Sequence, residues 1–168
     1  MTLPLKIKKI LLEPDPRLRA QNVYVTETWS ELEYWTKQMF KAMYRTENGV
    51  GLAAPQVGWN VRLFVMDAAR FKELQPRRLV FWNPRILEYR GDIELKREGC
   101  LSLPRVFGDL WRYPEVRLEA QGPAGPVDEY FKGIAAEIIQ HEVDHLNGIL
   151  CRELWKPVGT EKEKVHGA

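Results

Sequence analysis

The chain is poor in the features that mark secreted and membrane proteins. Its 168 residues include only two cysteines, Cys100 and Cys151, too few for a disulfide framework and better suited to a reducing compartment. No segment approaches the roughly 20 consecutive apolar residues of a membrane span. The apolar run at residues 10–12 is too short for the core of a signal peptide. These absences predict a soluble cytoplasmic protein, with an organelle as the alternative location.

The chain also lacks a charge imbalance. Its 25 basic and 23 acidic residues give a net charge of +2, which argues against nucleic acid or an anionic membrane as the main partner. Apolar residues make up 45% of the sequence, enough to build a sizeable core. Because neither a repeat nor a linker divides the chain, residues 1–168 are predicted to form a single domain.

The pattern of apolar residues predicts an α+β fold. Residues 28–44 are predicted to form a helix that begins with a capping box, Thr28 followed by Glu31. A second helix is predicted at residues 133–146, and Pro157 and Gly159 predict a short non-helical C-terminal tail. Between the helices, short strands are predicted at residues 61–66, 79–82, 86–89, 93–96, 116–120 and 127–131, the second of them ending at Asn83-Pro84. This order of elements favours antiparallel sheets.

The second helix carries the sequence His-Glu-Val-Asp-His at residues 141–145, an H-E-x-x-H motif. His141 and His145 lie one turn apart on one helix face, so that both can bind the same metal ion. Glu142 lies beside them and can take a proton from a metal-bound water. Ile134 and Ile138 continue the same face, which brings the histidines near the core. The alternative is a pair of surface histidines on an amphipathic helix.

A catalytic metal needs a third protein ligand and an open position. His166 lies in the charged tail and is a poor candidate. Cys100 is a better one, because it lies in a segment rich in turn-forming residues after a predicted strand. The alternative for a lone cysteine is a small buried apolar residue, which suits Cys151 better because apolar residues flank it.

Residues 49–56, Gly-Val-Gly-Leu-Ala-Ala-Pro-Gln, match the dinucleotide-binding pattern G-x-G-x-x-G/A. That pattern must follow a strand and open a helix. Here a predicted helix precedes it and Pro55 interrupts any helix after it, so nucleotide binding is disfavoured. The remaining alternatives are a tight connection between helix and sheet, or exposed backbone for an extended ligand with Gln56 as an amide donor.

Three segments in this order resemble the signature segments of the peptide deformylase family. They are residues 49–56, residues 98–102 (Glu-Gly-Cys-Leu-Ser) and residues 140–145 (Gln-His-Glu-Val-Asp-His). Residues 14–19 resemble the family's opening, so the likeness spans about residues 14–154. The resemblance implies antiparallel sheets around a central metal-binding helix, with an N-terminal helix. It also implies removal of the formyl group from the N-terminal formyl-methionine of nascent polypeptides, with release of formate.

The resemblance also implies roles for individual residues. The metal ligands would be Cys100, His141 and His145, and the ion one divalent metal, Fe(II) in the cell with zinc, nickel or cobalt as replacements. Glu142 would be the general base for a metal-bound water that attacks the formyl carbon. The amide of Gln56 and the backbone N–H of Leu101 would hold the oxyanion.

The implied substrate is an extended formyl-methionyl peptide, met at the ribosome by a monomeric enzyme. Ile134 and Ile138 match positions of the substrate pocket, but they could equally be ordinary core residues. Glu98 and Asp144 are also interpreted as residues that orient the ligands or backbone, with ordinary surface charge as the alternative for each. The positions matched to substrate binding are Val50, Gly51, Glu98, Gly99, Ile134 and Ile138.

Two positions depart from the family pattern. Phe107 stands where many members have an arginine that contacts the peptide, and Arg105 or Arg112 is a candidate substitute. Glu137 occupies a helix position that is apolar in some members and charged in others. If it faces the pocket, it would change the side-chain preference.

Two other classes of function share part of this pattern. A zinc peptidase of the H-E-x-x-H type would use the helix without Cys100 or Gln56. A non-catalytic, metal-stabilised binding module would not need Glu142. Formate release distinguishes the deformylase from the first, and loss of function in a Glu142 variant distinguishes it from the second.

Overall fold

The computed structural model describes residue 7, residues 9–67 and residues 78–156. The described helices are α1 (Trp29–Tyr44), α2 (Ile134–Leu146) and the single turn α3 (Cys151–Leu154). The described strands are β1 (Gly51–Ala53), β2 (Leu63–Asp67), β3 (Arg78–Arg90), β4 (Glu94–Cys100), β5 (Leu103–Arg112), β6 (Glu115–Gly122) and β7 (Gly125–Lys132). Among these residues, no helix combines the length and the apolar character needed to cross a membrane.

The strands form two antiparallel units. Five strands make one sheet in the order β1, β2, β3, β6, β7, and β4 pairs with β5 in a separate hairpin. The predicted α+β class with antiparallel sheets is therefore confirmed. The predicted C-terminal tail, with Pro157, Gly159 and His166, lies outside the described residues.

Both long helices begin within a residue of their predicted starts. At the start of α1, Glu31 Oε2 accepts hydrogen bonds from the Thr28 backbone N–H at 2.7 Å and from the Thr28 hydroxyl at 2.8 Å. The carboxylate thus satisfies a backbone donor that the helix itself leaves unpaired. Gly133 precedes α2 with a φ of +56°, a conformation that favours glycine.

Strand β2 is buried on both faces, which explains its uninterrupted apolar sequence. Leu63 and Val65 belong to the core on the side of α1, whereas Phe64 and Met66 belong to the core on the side of α2. Alternate residues of a strand point to opposite faces, so one strand supplies both cores. Full burial of such a side chain contributes about 1.5–3 kcal/mol. Packing on the sheet therefore holds α2 in the interior.

The prediction that a strand ends at Asn83-Pro84 is wrong, because β3 continues through both residues. The pairing of β3 with β6 shifts register between Trp82 and Arg85, and Asn83 has a φ of +52°. The two residues therefore form a bulge, which tolerates proline inside a strand because its missing donor falls at a break in the ladder.

Two strands, β1 and β5, were not among the predicted elements. Strand β1 has three residues, all buried, so it is too short to show alternation. Strand β5 contains Pro104, Arg105 and Gly108, and Arg105 has a φ of +64°. From the local sequence alone, these residues predict a turn and not a strand.

Asn83 ties the bulge to the segment before α1, so its loss is expected to destabilise the fold. Its Oδ1 accepts a hydrogen bond from the Val25 N–H and its Nδ2 donates one to the Val25 carbonyl, both at 2.8 Å. At about 1 kcal/mol per hydrogen bond, Asn83→Ala is expected to lower the free energy of unfolding by about 2 kcal/mol in urea denaturation. Asn83→Asp keeps the acceptor but places an anionic oxygen against the Val25 carbonyl, so it is also expected to be less stable than the wild type. Equal stability of all three proteins would contradict this role.

Candidate metal centre

Cys100 lies at the end of β4, where the chain turns back into β5 through Leu101 and Ser102. The Ser102 backbone N–H points to the Cys100 sulfur at 3.4 Å. The thiol is 8% exposed. A tight hairpin turn therefore fixes the direction of this side chain.

The two histidines of α2 face this sulfur. Cys100 Sγ and His145 Nε2 are 3.2 Å apart, and the rings of His141 and His145 have centroids 4.9 Å apart. One ligand atom from each of Cys100, His141 and His145 lies within 4.8 Å of the other two. The structure thus brings together the three residues that the sequence singled out as ligands.

The chemistry of these donors fits a divalent transition metal. One sulfur and two imidazole nitrogens suit zinc or iron and leave a fourth position open. Burial lowers the pKa of His145 well below its ordinary value, so the ring is neutral, as a metal ligand must be. Among the described residues, the buried Nδ1 atom of His145 has no hydrogen-bond partner.

A buried ionic network orients His141. Its Nδ1 lies 2.8 Å from Glu98 Oε2, which leaves Nε2 to face the other ligands. Arg112 donates to Glu98 Oε1 at 2.7 Å and to Asp144 Oδ2 at 2.7 Å. One guanidinium therefore joins β4, β5 and α2 around the site.

The network also sets the charges of its members. Burial raises the pKa of Glu98, but hydrogen bonds with His141 and Arg112 outweigh it and lower the pKa to about 2. Burial lowers the pKa of His141, but the bond to Glu98 and the charge of Glu142 outweigh it and raise the pKa to about 9. A metal ion bound at His141 would therefore displace a proton.

The sequence offered Arg112 as a surface contact to a peptide, and that interpretation is wrong. Its side chain is 0% exposed and paired with two carboxylates. The sequence alone does not reveal this role, since only the folded chain brings residues 98, 112 and 144 together. Arg105 does line the cavity described below.

Glu142 lies against strand β1 with one oxygen unpaired. The residue is 3% exposed, and among the described residues its Oε2 has no hydrogen-bond partner. Burial raises the pKa of Glu142 to about 7, which suits a group that accepts and returns a proton near neutral pH. A Cβ on Gly51 would clash with Glu142 Oε1, so the absence of a side chain there makes room for the carboxylate.

Gln56 presents its amide nitrogen to the cysteine. Its Oε1 accepts a hydrogen bond from the Ala53 N–H at 2.8 Å. Its Nε2 lies 3.2 Å from Ser102 Oγ and 3.7 Å from Cys100 Sγ. Because the backbone N–H fixes the carbonyl end of the amide, the NH₂ group faces the site. The segment around Gln56 forms a short strand and a 3-10 turn, which lacks the helix that a dinucleotide site requires.

A cavity of about 470 Å³ opens beside these residues. Its lining includes all of the sequence-predicted substrate positions, the three predicted catalytic residues, and the proposed ligands Cys100 and His141. The substrate positions and catalytic residues are Val50, Gly51, Glu98, Gly99, Ile134, Ile138, Gln56, Leu101 and Glu142.

Phe107 lies at the mouth of this cavity with 55% of its surface exposed. A Cβ on Gly99 would be 2.6 Å from its ring, so the ring packs directly on the backbone of β4. An aromatic surface thus replaces the charged contact that the family pattern led us to look for.

The comparisons with known proteins agree on one family. A model of the polypeptide deformylase family matches residues 7–160. A peptide deformylase from Pseudothermotoga lettingae is 41% identical over 149 residues, or 88% of this chain and 82% of that relative.

Solved structures agree with the sequence match. The peptide deformylase of Thermotoga maritima has a TM-score of 0.81 and 37% identity, covering 90% of this chain and 99% of that one. A peptide deformylase from Acinetobacter baumannii, solved with Met-Ala-Ser bound, has a TM-score of 0.77 and 32% identity, covering 89% and 98%. Sequence and fold together show that this chain belongs to the polypeptide deformylase family, whose members are metal-dependent hydrolases.

Proposed function

We propose that this chain hydrolyses the formyl amide of N-formyl-methionyl peptides and releases formate. The observation that carries the proposal is the convergence of three chemistries on one cavity. A Cys/His/His ligand set, the buried carboxylate of Glu142 and the amide donor of Gln56 all meet there. Family membership supports the same reaction.

Cys100, His141 and His145 would hold the metal, with Fe(II) as the proposed ion in the cell and zinc, nickel or cobalt as substitutes. The metal supplies a Lewis acid that makes water acidic enough to be a nucleophile near neutral pH. A thiolate ligand also makes the site sensitive to oxidation. The bond from Glu98 keeps the His141 ring in the orientation that this binding requires.

Glu142 acts as the general base and then as the general acid. It takes a proton from the attacking water and returns it to the amine that leaves when the C–N bond breaks. Its environment suits both steps, because burial keeps its pKa near 7. A group with that pKa is present in both protonation states at neutral pH.

Gln56 and the backbone N–H of Leu101 stabilise the negative charge that develops on the formyl oxygen. Glutamine donates a hydrogen bond without titrating, and its bond to the Ala53 N–H fixes its direction in advance. Loss of one donor of this kind typically lowers a rate by about 10²–10³-fold.

The methionine side chain would enter the part of the cavity bounded by Val50, Ile134 and Ile138, with the peptide extended past Gly51 and Gly99. Backbone contacts at the two glycines would bind many sequences alike, as a processing enzyme requires. The Met-Ala-Ser tripeptide bound to the Acinetobacter baumannii relative supports a substrate of this chemistry.

The proposed setting is the cytoplasm, where one monomeric catalytic domain meets formylated chains as they leave the ribosome. The near-neutral charge balance of the chain agrees with a peptide partner rather than a nucleic acid.

Removal of the proposed sulfur ligand is expected to remove the metal. Anaerobically purified Cys100→Ala is expected to contain far less than one metal ion per chain, because even loss of an outer hydrogen-bond partner weakens binding about 10–100-fold. Cys151→Ala is the matched control, since Cys151 is a second buried thiol in the same apolar cluster as Cys100 but is not a proposed ligand, and it is expected to keep one ion. Elemental analysis by mass spectrometry measures both. Full occupancy in Cys100→Ala would contradict the ligand set.

Removal of the proposed base is expected to stop the reaction without loss of metal. Glu142→Gln keeps the size of the side chain but cannot accept the proton, so formate release from formyl-Met-Ala-Ser is expected to fall about 10²–10⁴-fold. A peptidase would instead cleave an internal peptide bond of that substrate in the wild type, which mass spectrometry of the products would detect. Unchanged turnover in Glu142→Gln would favour the binding-module alternative.

Gly51→Ala is expected to impair turnover by displacing the carboxylate of Glu142. The added Cβ would clash with Glu142 Oε1, and a shift of about 1 Å in a catalytic group can lower a rate about 10²-fold. Gly122→Ala, in the β6–β7 hairpin, is the control. In Gly51→Ala we expect a reduced kcat with normal metal content, whereas in Gly122→Ala we expect both to be normal. Formate release measures kcat, and elemental analysis measures the metal content. Normal kcat would mean that the carboxylate does not need this space.

A further inference from the structure

Helix α2 contributes an acidic side chain, Glu137, to the cavity wall next to two apolar ones. Glu137 lines the cavity together with Ile134 and Ile138. Residues three and four apart on a helix share a face, so Glu137 belongs to the face of α2 that also carries His141. A carboxylate therefore stands one turn from a proposed metal ligand.

Lys96 holds this carboxylate from the neighbouring hairpin. Its Nζ lies 2.9 Å from Glu137 Oε1 and 2.9 Å from Glu94 Oε2. The side chain of Glu137 is 16% exposed, whereas that of Glu94 is 51% exposed and is not part of the cavity lining. Of the two acidic partners of Lys96, only Glu137 can meet a ligand in the cavity.

Lys96 keeps its positive charge at neutral pH. Hydrogen bonds to Glu137 and then Glu94 raise the pKa of Lys96 to about 12. Lys96 occupies one oxygen of Glu137, and an ionised carboxylate has about four acceptor sites in all. Acceptor capacity therefore remains on Glu137, beside the apolar side chains of Ile134 and Ile138.

We propose that Glu137 is a specificity-determining residue, and that it lets the side-chain pocket accept glutamine as well as methionine at the formylated position. This rests on the proposed deformylase function. Glutamine and methionine side chains extend over the same number of bonds, so both reach the same depth. An amide that enters a purely apolar pocket loses its hydrogen bonds to water without replacement. Here the Glu137 carboxylate accepts the amide N–H.

A purely structural role is the competing explanation. Glu137 lies in the first turn of α2, where a negative charge stabilises the helix dipole, and its bond to Lys96 ties α2 to β4. Such a role predicts a change in stability but no change in the preference between two substrates.

The test compares kcat/KM for formyl-Gln-Ala-Ser and formyl-Met-Ala-Ser with the metal-loaded protein. Glu137→Leu removes the acceptor from the pocket wall, and the Gln-to-Met ratio is expected to fall about tenfold or more, because a hydrogen bond to a charged group is lost. Glu94→Leu is the matched control: it removes the other partner of Lys96 outside the cavity and is expected to leave the ratio unchanged. An unchanged ratio in Glu137→Leu would overturn the proposal.

Lys96→Met tests whether the carboxylate of Glu137 or its ion pair with Lys96 sets the preference. It removes the same ion pair but leaves the acceptor in place, so the ratio is expected to stay at or above that of the wild type. A fall like that of Glu137→Leu would mean that the ion pair, and not the carboxylate, sets the preference, and would overturn the proposal. If Glu137→Leu fails to fold, Glu137→Met, whose side chain is closer in shape to that of glutamate, repeats the test, and an unchanged ratio in that variant would likewise overturn the proposal.

Binding of the product peptides gives a readout independent of turnover. Calorimetric affinity for Gln-Ala-Ser is expected to weaken in Glu137→Leu by the same factor as the substrate ratio, and affinity for Met-Ala-Ser is expected not to weaken. If the wild type releases no formate from formyl-Met-Ala-Ser, the proposed function itself fails. If it does so but the ratio does not respond to Glu137, only the inference about Glu137 fails.

Discussion

The geometry of the site depends on the ion pairs that the buried guanidinium of Arg112 makes. The guanidinium joins Glu98 of the hairpin to Asp144 of the helix, and Glu98 in turn orients His141. Removal of one member of a buried ionic group leaves an uncompensated charge and is strongly destabilising. Cys100 at the end of β4 lies more than 40 residues from the two histidines of α2 in the sequence. This network holds the two segments next to each other.

Burial of α2 between the sheet and the hairpin gives the site its chemical character. The apolar face of the helix packs on β2 and its neighbours, and Glu142 and His145 are buried with it. That burial raises the pKa of Glu142 and keeps His145 neutral. The same packing that stabilises the fold therefore prepares the proposed base and one proposed metal ligand. Most buried polar groups need specific partners. Arg112 supplies them for Glu98 and Asp144, whereas His145 Nδ1 and Glu142 Oε2 have none among the described residues.

The sequence predicted the parts of the fold that depend on neighbouring residues. Helix α1 begins where Thr28 and Glu31 predict, because a capping box is a local interaction. The two proposed histidine ligands were also accessible, since H-E-x-x-H places two imidazoles on one helix face whatever the rest of the chain does.

Features that depend on distant contacts could not be predicted in the same way. Strand β5 contains Pro104 and Arg105 and is held by its pairing with β4, so its local sequence resembles a turn. Arg112 is one of 25 basic residues, and only the folded chain shows that it is buried. Gly51 was assigned to peptide binding, and the space it leaves for Glu142 became visible only in three dimensions.

The central claim is that one thiolate and two imidazoles share a single divalent ion. X-ray absorption at the metal edge of the zinc-loaded protein tests it directly, because sulfur and nitrogen scatter differently and at different distances. The account predicts one sulfur at about 2.3 Å and two imidazole nitrogens at about 2.0–2.1 Å. A first coordination sphere without sulfur would contradict it.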